Sequence, residues 1–207
     1  MDEEEARAWL QRQFDVPRET FERLEAFAAF LARENDRQNL VAKPTLDRIW
    51  SRHIADSAQL LRYAPSADAR WVDLGTGAGF PGLIVAALHQ GPVTLVEERR
   101  LRGEFLRRAA ELLDVSPEIL QVRAERMPPR RFDVISARAF APLPRLLEIG
   151  TAFSTIKTLW LLPKGRSAQS ELEALDSSWQ GDFRLEPSLT DPDAQIIVAE
   201  GVKRKRR

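Results

Sequence analysis

Gly75, Gly77, Gly79 and Gly82 fall within eight positions, directly behind an apolar run that carries one acid: Trp71-Val-Asp-Leu-Gly-Thr-Gly-Ala-Gly-Phe-Pro-Gly82. A helical pattern follows from Leu83 to Leu88. A strand that ends in a glycine-rich turn and feeds a helix brings bare backbone close to a ligand. The helix N-terminus adds free N–H groups and partial positive charge. The chemistry is that of a nucleotide-type cofactor pocket, and two cofactors fit it. Gly77-Ala-Gly79-Phe-Pro-Gly82 satisfies the dinucleotide pattern, with Glu97 placed twenty positions after Gly77 to hold ribose hydroxyls. The other reading begins at the acid, Asp73-x-Gly75-x-Gly77-x-Gly79, and fits S-adenosylmethionine, which carries an ammonium and a sulfonium and no phosphate. Asp73 favours the methyl donor, Glu97 serves either ribose, and the dinucleotide stays open at this point.

Further residues gather after the later strands. Ala124-Glu125 follows the third strand, where an amide or carboxylate reaches an adenine edge. Ser136-Ala-Arg138-Ala-Phe140-Ala-Pro142 follows the fourth. Arg138 suits a cofactor carboxylate or an RNA phosphate, and Phe140 suits stacking on a flipped base. Lys164-Gly165 after the fifth strand offers a phosphate contact. Phe80 either covers the ligand with its ring or packs on the sheet. His53 lies on the apolar face of a helix, where packing is the first reading. No serine–histidine–acid arrangement and no paired carboxylate motif is present.

These residues need a scaffold, and the spacing supplies one. Residues 2–64 read as helical. Glu3, Glu4 and Glu5 suit the start of a first helix, and Pro17 begins a second with Phe21, Leu24, Phe27, Ala28 and Leu31 on one face. Asn39-Leu-Val-Ala-Lys-Pro44 interrupts, and Thr45 caps a third helix carrying Leu46, Ile49, Trp50, His53, Ile54, Ser57, Leu60 and Leu61. From residue 70 strands (70–74, 93–97, 119–123, 132–136, 157–162) alternate with helices (81–89, 100–113, 143–152, 167–176), which predicts a mostly parallel, doubly wound sheet. Phe183-Arg-Leu and Gln195-Ile-Ile-Val-Ala199 close it as an antiparallel hairpin on the sheet edge. The expected fold is α/β, with a helical cap over 1–65, a Rossmann-like domain over 66–202 and a basic tail over 203–207. In such a sheet Gly75, Glu97, Glu125 and Arg138 converge at the carboxyl ends of the strands.

Composition narrows the chemistry. The 207 residues include no cysteine and two histidines, His53 and His89. Thiolate chemistry is excluded, and no metal is expected. No run of about eighteen apolar residues exists, and Met1-Asp-Glu-Glu-Glu is acidic where a secretory leader is basic; a soluble cytoplasmic protein is the expectation. Charge is unevenly placed: residues 1–30 hold eight acids and four bases, whereas 97–145 hold eleven bases and eight acids. Of the 31 basic residues 26 are arginine, the side chain that binds phosphate bidentately and stacks on bases.

The chain resembles the bacterial 16S rRNA (guanine-N7) methyltransferases, also called glucose-inhibited division protein B. The matching pieces run in order over roughly residues 20–200: Asn39-Leu, Arg52-His53-Ile54-Ala-Asp56-Ser57, the glycine segment 73–82, Phe105-Leu106-Arg107, Ser136-Ala-Arg138-Ala-Phe140-Ala and Lys164-Gly165. The resemblance implies a class I S-adenosylmethionine-dependent methyltransferase fold with an N-terminal helical cap. It implies methylation of one guanosine in the decoding-region loop of small-subunit rRNA, naked or assembled, by a protein expected to be a monomer. Cofactor contacts would fall on Gly75, Phe80, Ala124, Glu125 and Arg138, beside Asp73, Gly77 and Glu97 from the motif. Arg52, His53, Arg99, Arg100, Arg102 and Lys164 are candidate RNA contacts. The pattern departs at Glu97-Glu98, usually Asp-Ser, and at Leu101-Arg102, usually Lys-Arg. N7 of guanine is a lone pair without a proton, so no general base is expected, and Arg138 and Phe140 would act by positioning. Competing functions are methylation of another RNA base, a dinucleotide-dependent oxidoreductase and a non-catalytic RNA-binding protein.

Overall fold

Strands buried on both faces of a parallel sheet alternate apolar side chains between two cores. That pattern is followed by β1 (Trp71–Leu74), β2 (Val93–Val96), β4 (Val134–Ser136) and β5 (Leu159–Lys164), with the short β3 (Glu118–Leu120) at the margin. In the computed structural model, which describes residues 1–205, these strands join β6 (Trp179–Pro187) and β7 (Gln195–Arg204) in one seven-stranded sheet of order β3-β2-β1-β4-β5-β7-β6. β1 to β5 are parallel, and β7 inserts antiparallel between β5 and β6. The expected edge hairpin is present, with its second strand on the inside. β7 runs on through Lys203 and Arg204, and Lys205 N donates to Ser178 O at 2.7 Å. The start of the expected basic tail is therefore strand, and Arg206 and Arg207 lie outside the described residues.

One core holds Trp71, Leu95, Val134, Leu161 and Val198 against α4 (Gly82–Leu88) and α5 (Arg100–Leu113). The other holds Val72, Val96, Ile135, Trp160 and Ile197 against α6 (Leu143–Gly150), with Ala168 of α7 (Ala168–Glu173). The cap helices α1 (Glu3–Phe14) and α2 (Arg18–Gln38) extend the first core through Leu10, Leu24, Phe27 and Leu31, all fully buried. α1 begins with a reciprocal capping box, Asp2 Oδ1 accepting Glu5 N at 2.8 Å and Glu5 Oε2 accepting Asp2 N at 2.9 Å. α2 ends where the Asn39 break was read, with Asn39 left-handed at φ 48.

The third cap helix differs from the regular one expected. A 3₁₀ turn (Lys43–Arg48) leads into a π-helical stretch (Trp50–Ala55), a single α turn α3 (Asp56–Ala58) and another 3₁₀ turn (Gln59–Tyr63). Thr45 is not its cap: the hydroxyl donates to Ala42 O at 2.7 Å. The free amides of the π stretch are met from outside, by the Glu3 carboxylate on Trp50 N at 2.9 Å and Ser51 N at 2.7 Å. Glu3 thus anchors α1 to the segment that carries His53, and π stretches of this kind are frequent at functional sites.

Candidate active site

The glycine turn is organised from beneath by Asp73, which is fully buried. Its Oδ2 accepts Gly82 N at 3.0 Å, at the start of α4, and its Oδ1 accepts the Ser136 hydroxyl at 2.8 Å. Ser136 in turn accepts the Trp71 indole N–H at 2.9 Å. Burial pushes the Asp73 carboxyl up to about 6, against the pull of these donors. Gly82 has to be glycine, because a Cβ there would stand 2.2 Å from Leu95 and 2.9 Å from Asp73 Oδ2.

A cavity of about 410 Å³ opens at the carboxyl ends of β1 to β4, lined by Gly75, Glu97, Arg99, Arg102, Ala124, Glu125, Phe140 and Arg145 among others. Glu97 is 5% exposed and held by two amides, Gly77 N at 3.1 Å and Arg99 N at 2.9 Å. Gly75 sits at φ 68 with the Phe140 ring directly over it: a Cβ would come within 2.2 Å of Phe140 Cδ2. Glu125 pairs with Arg145 at 2.7 Å. Its own backbone N–H is the main influence holding its carboxyl below the usual range, against burial and with help from Arg145.

A second cavity, about 920 Å³, lies on the other side of the β4–α6 loop, between that loop, the cap and the β6–β7 turn. Arg138 dominates its wall. The guanidinium donates to Arg52 O at 3.2 Å, Asp56 Oδ2 at 3.2 Å and His53 Nδ1 at 3.1 Å, and it lies 5.2 Å from the Phe80 ring centre. An arginine has no acceptor to offer, so Nδ1 of His53 is unprotonated and Nε2–H donates to Thr45 Oγ1 at 2.8 Å. Burial, with Arg138 and Arg52 nearby, pushes His53 down to about 3. The imidazole is neutral and stacks on Phe80 at 4.9 Å. Ala139, Phe140 and Ala141 line both cavities, so the two spaces meet across one loop, and Ala139 there takes φ 52.

A parallel sheet with a glycine turn after β1 and a ligand-sized cavity at its switch point narrows the field to nucleotide-type enzymes, and comparison with known proteins identifies which. The family model for rRNA small subunit methyltransferase G matches residues 20–190. The chain belongs to the rRNA small subunit methyltransferase G family. It is 49% identical to the ribosomal RNA small subunit methyltransferase G of Zymomonas mobilis, covering 100% of this chain and 97% of the relative. It is 53% identical to that of Rhizorhabdus wittichii, covering 98% and 94%. Among solved structures it is similar to ribosomal protein L11 methylase from Lactobacillus delbrueckii subsp. bulgaricus, with TM-score 0.57, 16% identity, and 73% and 78% of the chains covered. TrmN from Thermus thermophilus matches with TM-score 0.56 and 23% identity, covering 73% of this chain and 49% of that one; these two likenesses concern the fold alone.

The protein is thus an rRNA methyltransferase with a class I methyltransferase fold, and membership in a methyltransferase family resolves the open cofactor choice in favour of S-adenosylmethionine. Of the residues expected at the cofactor, Gly75, Glu97, Ala124 and Glu125 line the first cavity. Asp73, Gly77 and Phe80 line neither cavity. Asp73 lies beneath the turn with its Oδ2 on Gly82 N, Gly77 N donates to Glu97, and the Phe80 ring packs between His53 and Phe27, at 5.7 Å from the latter. Arg138 stands on the second cavity.

The expected RNA contacts also separate. Arg99 and Arg102 line the first cavity, with Arg102 3.7 Å from Glu97. Arg100 pairs with Glu104 on α5. Arg52, His53 and Lys164 line the second cavity, Arg52 paired with Asp191 and Lys164 with Glu171 at 2.7 Å. Sequence reading gave no role to Arg145, Asp56, Glu171, Ser188, Thr190 or Asp191. The last three lie in the β6–β7 turn, where nothing local signals that the chain folds back onto the cap. No described helix is long and apolar enough to cross a membrane.

Proposed function

We propose that this protein transfers the methyl group of S-adenosylmethionine to N7 of a guanosine in the decoding-region loop of 16S rRNA. The cofactor is assigned to the 410 Å³ cavity and the target base to the 920 Å³ one. The observation that carries this reading is the shared wall: Ala139, Phe140 and Ala141 border both spaces, so whatever they hold meets at this loop. The first cavity fits the cofactor in its donor set. Glu97, fixed by two amides at the end of β2, has the place and chemistry to accept ribose hydroxyls, and Gly75 lets the backbone approach closely.

Bound there, S-adenosylmethionine supplies a methyl group already activated by a sulfonium. The protein's part is alignment and exclusion of water. Phe140 offers a ring face for the base, and that face also favours the cationic product. Arg138, fixed by the cap, holds the loop that carries Phe140. The acceptor lone pair needs no base, in agreement with a neutral His53 and an Asp73 sealed under the turn. Arg99 lines the first cavity and offers a charge to phosphates of an incoming strand, whereas Arg102 and Arg123 beside it pair with Glu97 at 3.7 Å and Glu98 at 3.0 Å. The substrate is 16S rRNA, naked or within the small subunit, and the protein acts as a cytoplasmic monomer.

The test is to digest 16S rRNA from cells with and without the gene and compare nucleosides by mass spectrometry. Loss of one 7-methylguanosine, restored by the wild-type gene and not by Phe140→Ala, is the expected result. Loss of a different modified nucleoside would replace the acceptor, and an unchanged profile would leave an RNA-binding role.

A further inference from the structure

Every charge lining the second cavity is already matched. Arg52 pairs with Asp191, Arg138 with Asp56 at 3.2 Å, and Lys164 with Glu171 at 2.7 Å, while His53 is neutral. The remaining wall includes Leu40, Val41, Phe140, Pro142, Pro163 and Ile196. A space with balanced charge and an apolar wall suits a nucleobase better than a phosphate.

Guanine presents N–H donors on the edge away from N7, and a site that reads it must meet them with acceptors. Two carboxylates line the cavity. Asp56 is committed: Oδ2 accepts Arg138, and Oδ1 accepts Gln59 Nε2 at 2.8 Å and Thr190 Oγ1 at 3.0 Å. Glu171 is committed on one side only. Its Oε2 accepts Lys164 Nζ at 2.7 Å and Leu143 N at 3.1 Å, whereas Oε1 accepts only the exposed Ser167 hydroxyl, at 2.9 Å. Burial works to raise this carboxyl, but Lys164 and Ser167 hold it below the usual range. Glu171 is thus an ionised acceptor on the cavity wall, and its Oε1 takes a single hydrogen bond.

We infer that Glu171 determines specificity for guanine, its Oε1 accepting a hydrogen bond from the 2-amino group of the target base while Lys164 holds the carboxylate in place. The inference rests on the methylation reading above and adds the residue that distinguishes guanine from other bases. An adenine in the same pose has no 2-amino group and presents N1 as an acceptor, which a carboxylate repels.

Inosine, which is guanosine without the 2-amino group, isolates the contact. Small-subunit rRNA, naked or assembled as the enzyme requires, is prepared with guanosine or inosine at the methylated position, and kcat/KM is measured for wild-type protein and Glu171→Gln. The wild type is expected to prefer guanosine by about tenfold or more. In Glu171→Gln the amide oxygen is claimed by Lys164 and Leu143 N, so its NH2 faces the cavity and the preference collapses to about one. The ratio is independent of the folded fraction, and a titration with S-adenosylmethionine reports separately on the first cavity. A wild type indifferent to inosine, or a Glu171→Gln protein that is slower on both substrates with its preference intact, overturns the inference and leaves the methylation reading standing. Wild-type protein that forms no 7-methylguanosine removes both.

Discussion

Arg138 is gripped by a carbonyl, a carboxylate and an imidazole, all from the cap, although it belongs to the loop after β4. Its loss uncouples that loop from the cap without emptying a core. Arg138→Ala should therefore reduce turnover by about 100-fold or more, while stability falls by only about 1–3 kcal/mol; normal turnover in a folded Arg138→Ala protein contradicts the assignment. His53 carries a pH signature. Its folded pKa of about 3 lies below the ordinary histidine value of 6.5, so the folded state holds fewer protons than the unfolded chain between those values. Stability from this residue is lost as pH falls through that window, by at most about 1.4 kcal/mol per pH unit. Asp73, raised from 3.8 to about 6, has the opposite sign: the folded state holds more protons, and stability is lost as pH rises from about 4 to 6. The two oppose each other where they overlap, so the difference between proteins is the clean observable. His53→Asn keeps an acceptor for Arg138 and removes the histidine titration. Measured by urea unfolding, it should gain relative to wild type on going from pH 7 to pH 5, and a constant difference would show that His53 is not buried neutral.

At the scale of elements, the cap and sheet domain depend on contacts made by ends and turns. Glu3 supplies the acceptors for Trp50 N and Ser51 N, and both residues are buried. Glu3→Ala leaves those amides unmet at a cost of about 1–3 kcal/mol, read as a Tm lower by roughly 2–4 °C per kcal/mol in a chain of this size. Glu4→Ala, exposed on the same turn, should change little. Gly75→Ala adds a Cβ at φ 68 beneath the Phe140 ring. The strained conformation costs about 1–2 kcal/mol, and the displaced ring disturbs the wall common to both cavities. Calorimetric titration should show at least a tenfold weaker affinity for S-adenosylmethionine; wild-type affinity would mean that Phe140 is free to move aside.

Across the whole molecule, what the sequence disclosed was local and what it concealed was long-range. Alternation of apolar runs with helical spacing identified β1 to β5 and α4 to α7, because each burial pattern spans only a few residues. Gly75, Glu97, Ala124 and Glu125 were legible for a related reason: a doubly wound sheet sends every strand end to one edge. The π stretch at Trp50–Ala55 was not legible, since its amides are satisfied by Glu3 from the other end of the cap. Nor was the clamp of the β6–β7 turn on the cap, where Arg52 meets Asp191 and Asp56 meets Thr190 across more than 130 positions. That clamp borders the second cavity, and it explains why Arg52, read as an RNA contact, is found neutralised by Asp191; Lys164 is neutralised more locally, by Glu171 seven positions on in α7.

The methyl transfer itself can be observed in a single experiment. Purified protein is incubated with S-adenosylmethionine labelled in its methyl group and with small ribosomal subunits, or their naked rRNA, from cells lacking the gene; the rRNA is then digested and the labelled nucleoside identified. Label in 7-methylguanosine, at about one methyl group per 16S rRNA, is the predicted result. Label in any other nucleoside, or none from a protein that still binds S-adenosylmethionine, would contradict the assignment of guanine N7 as the acceptor.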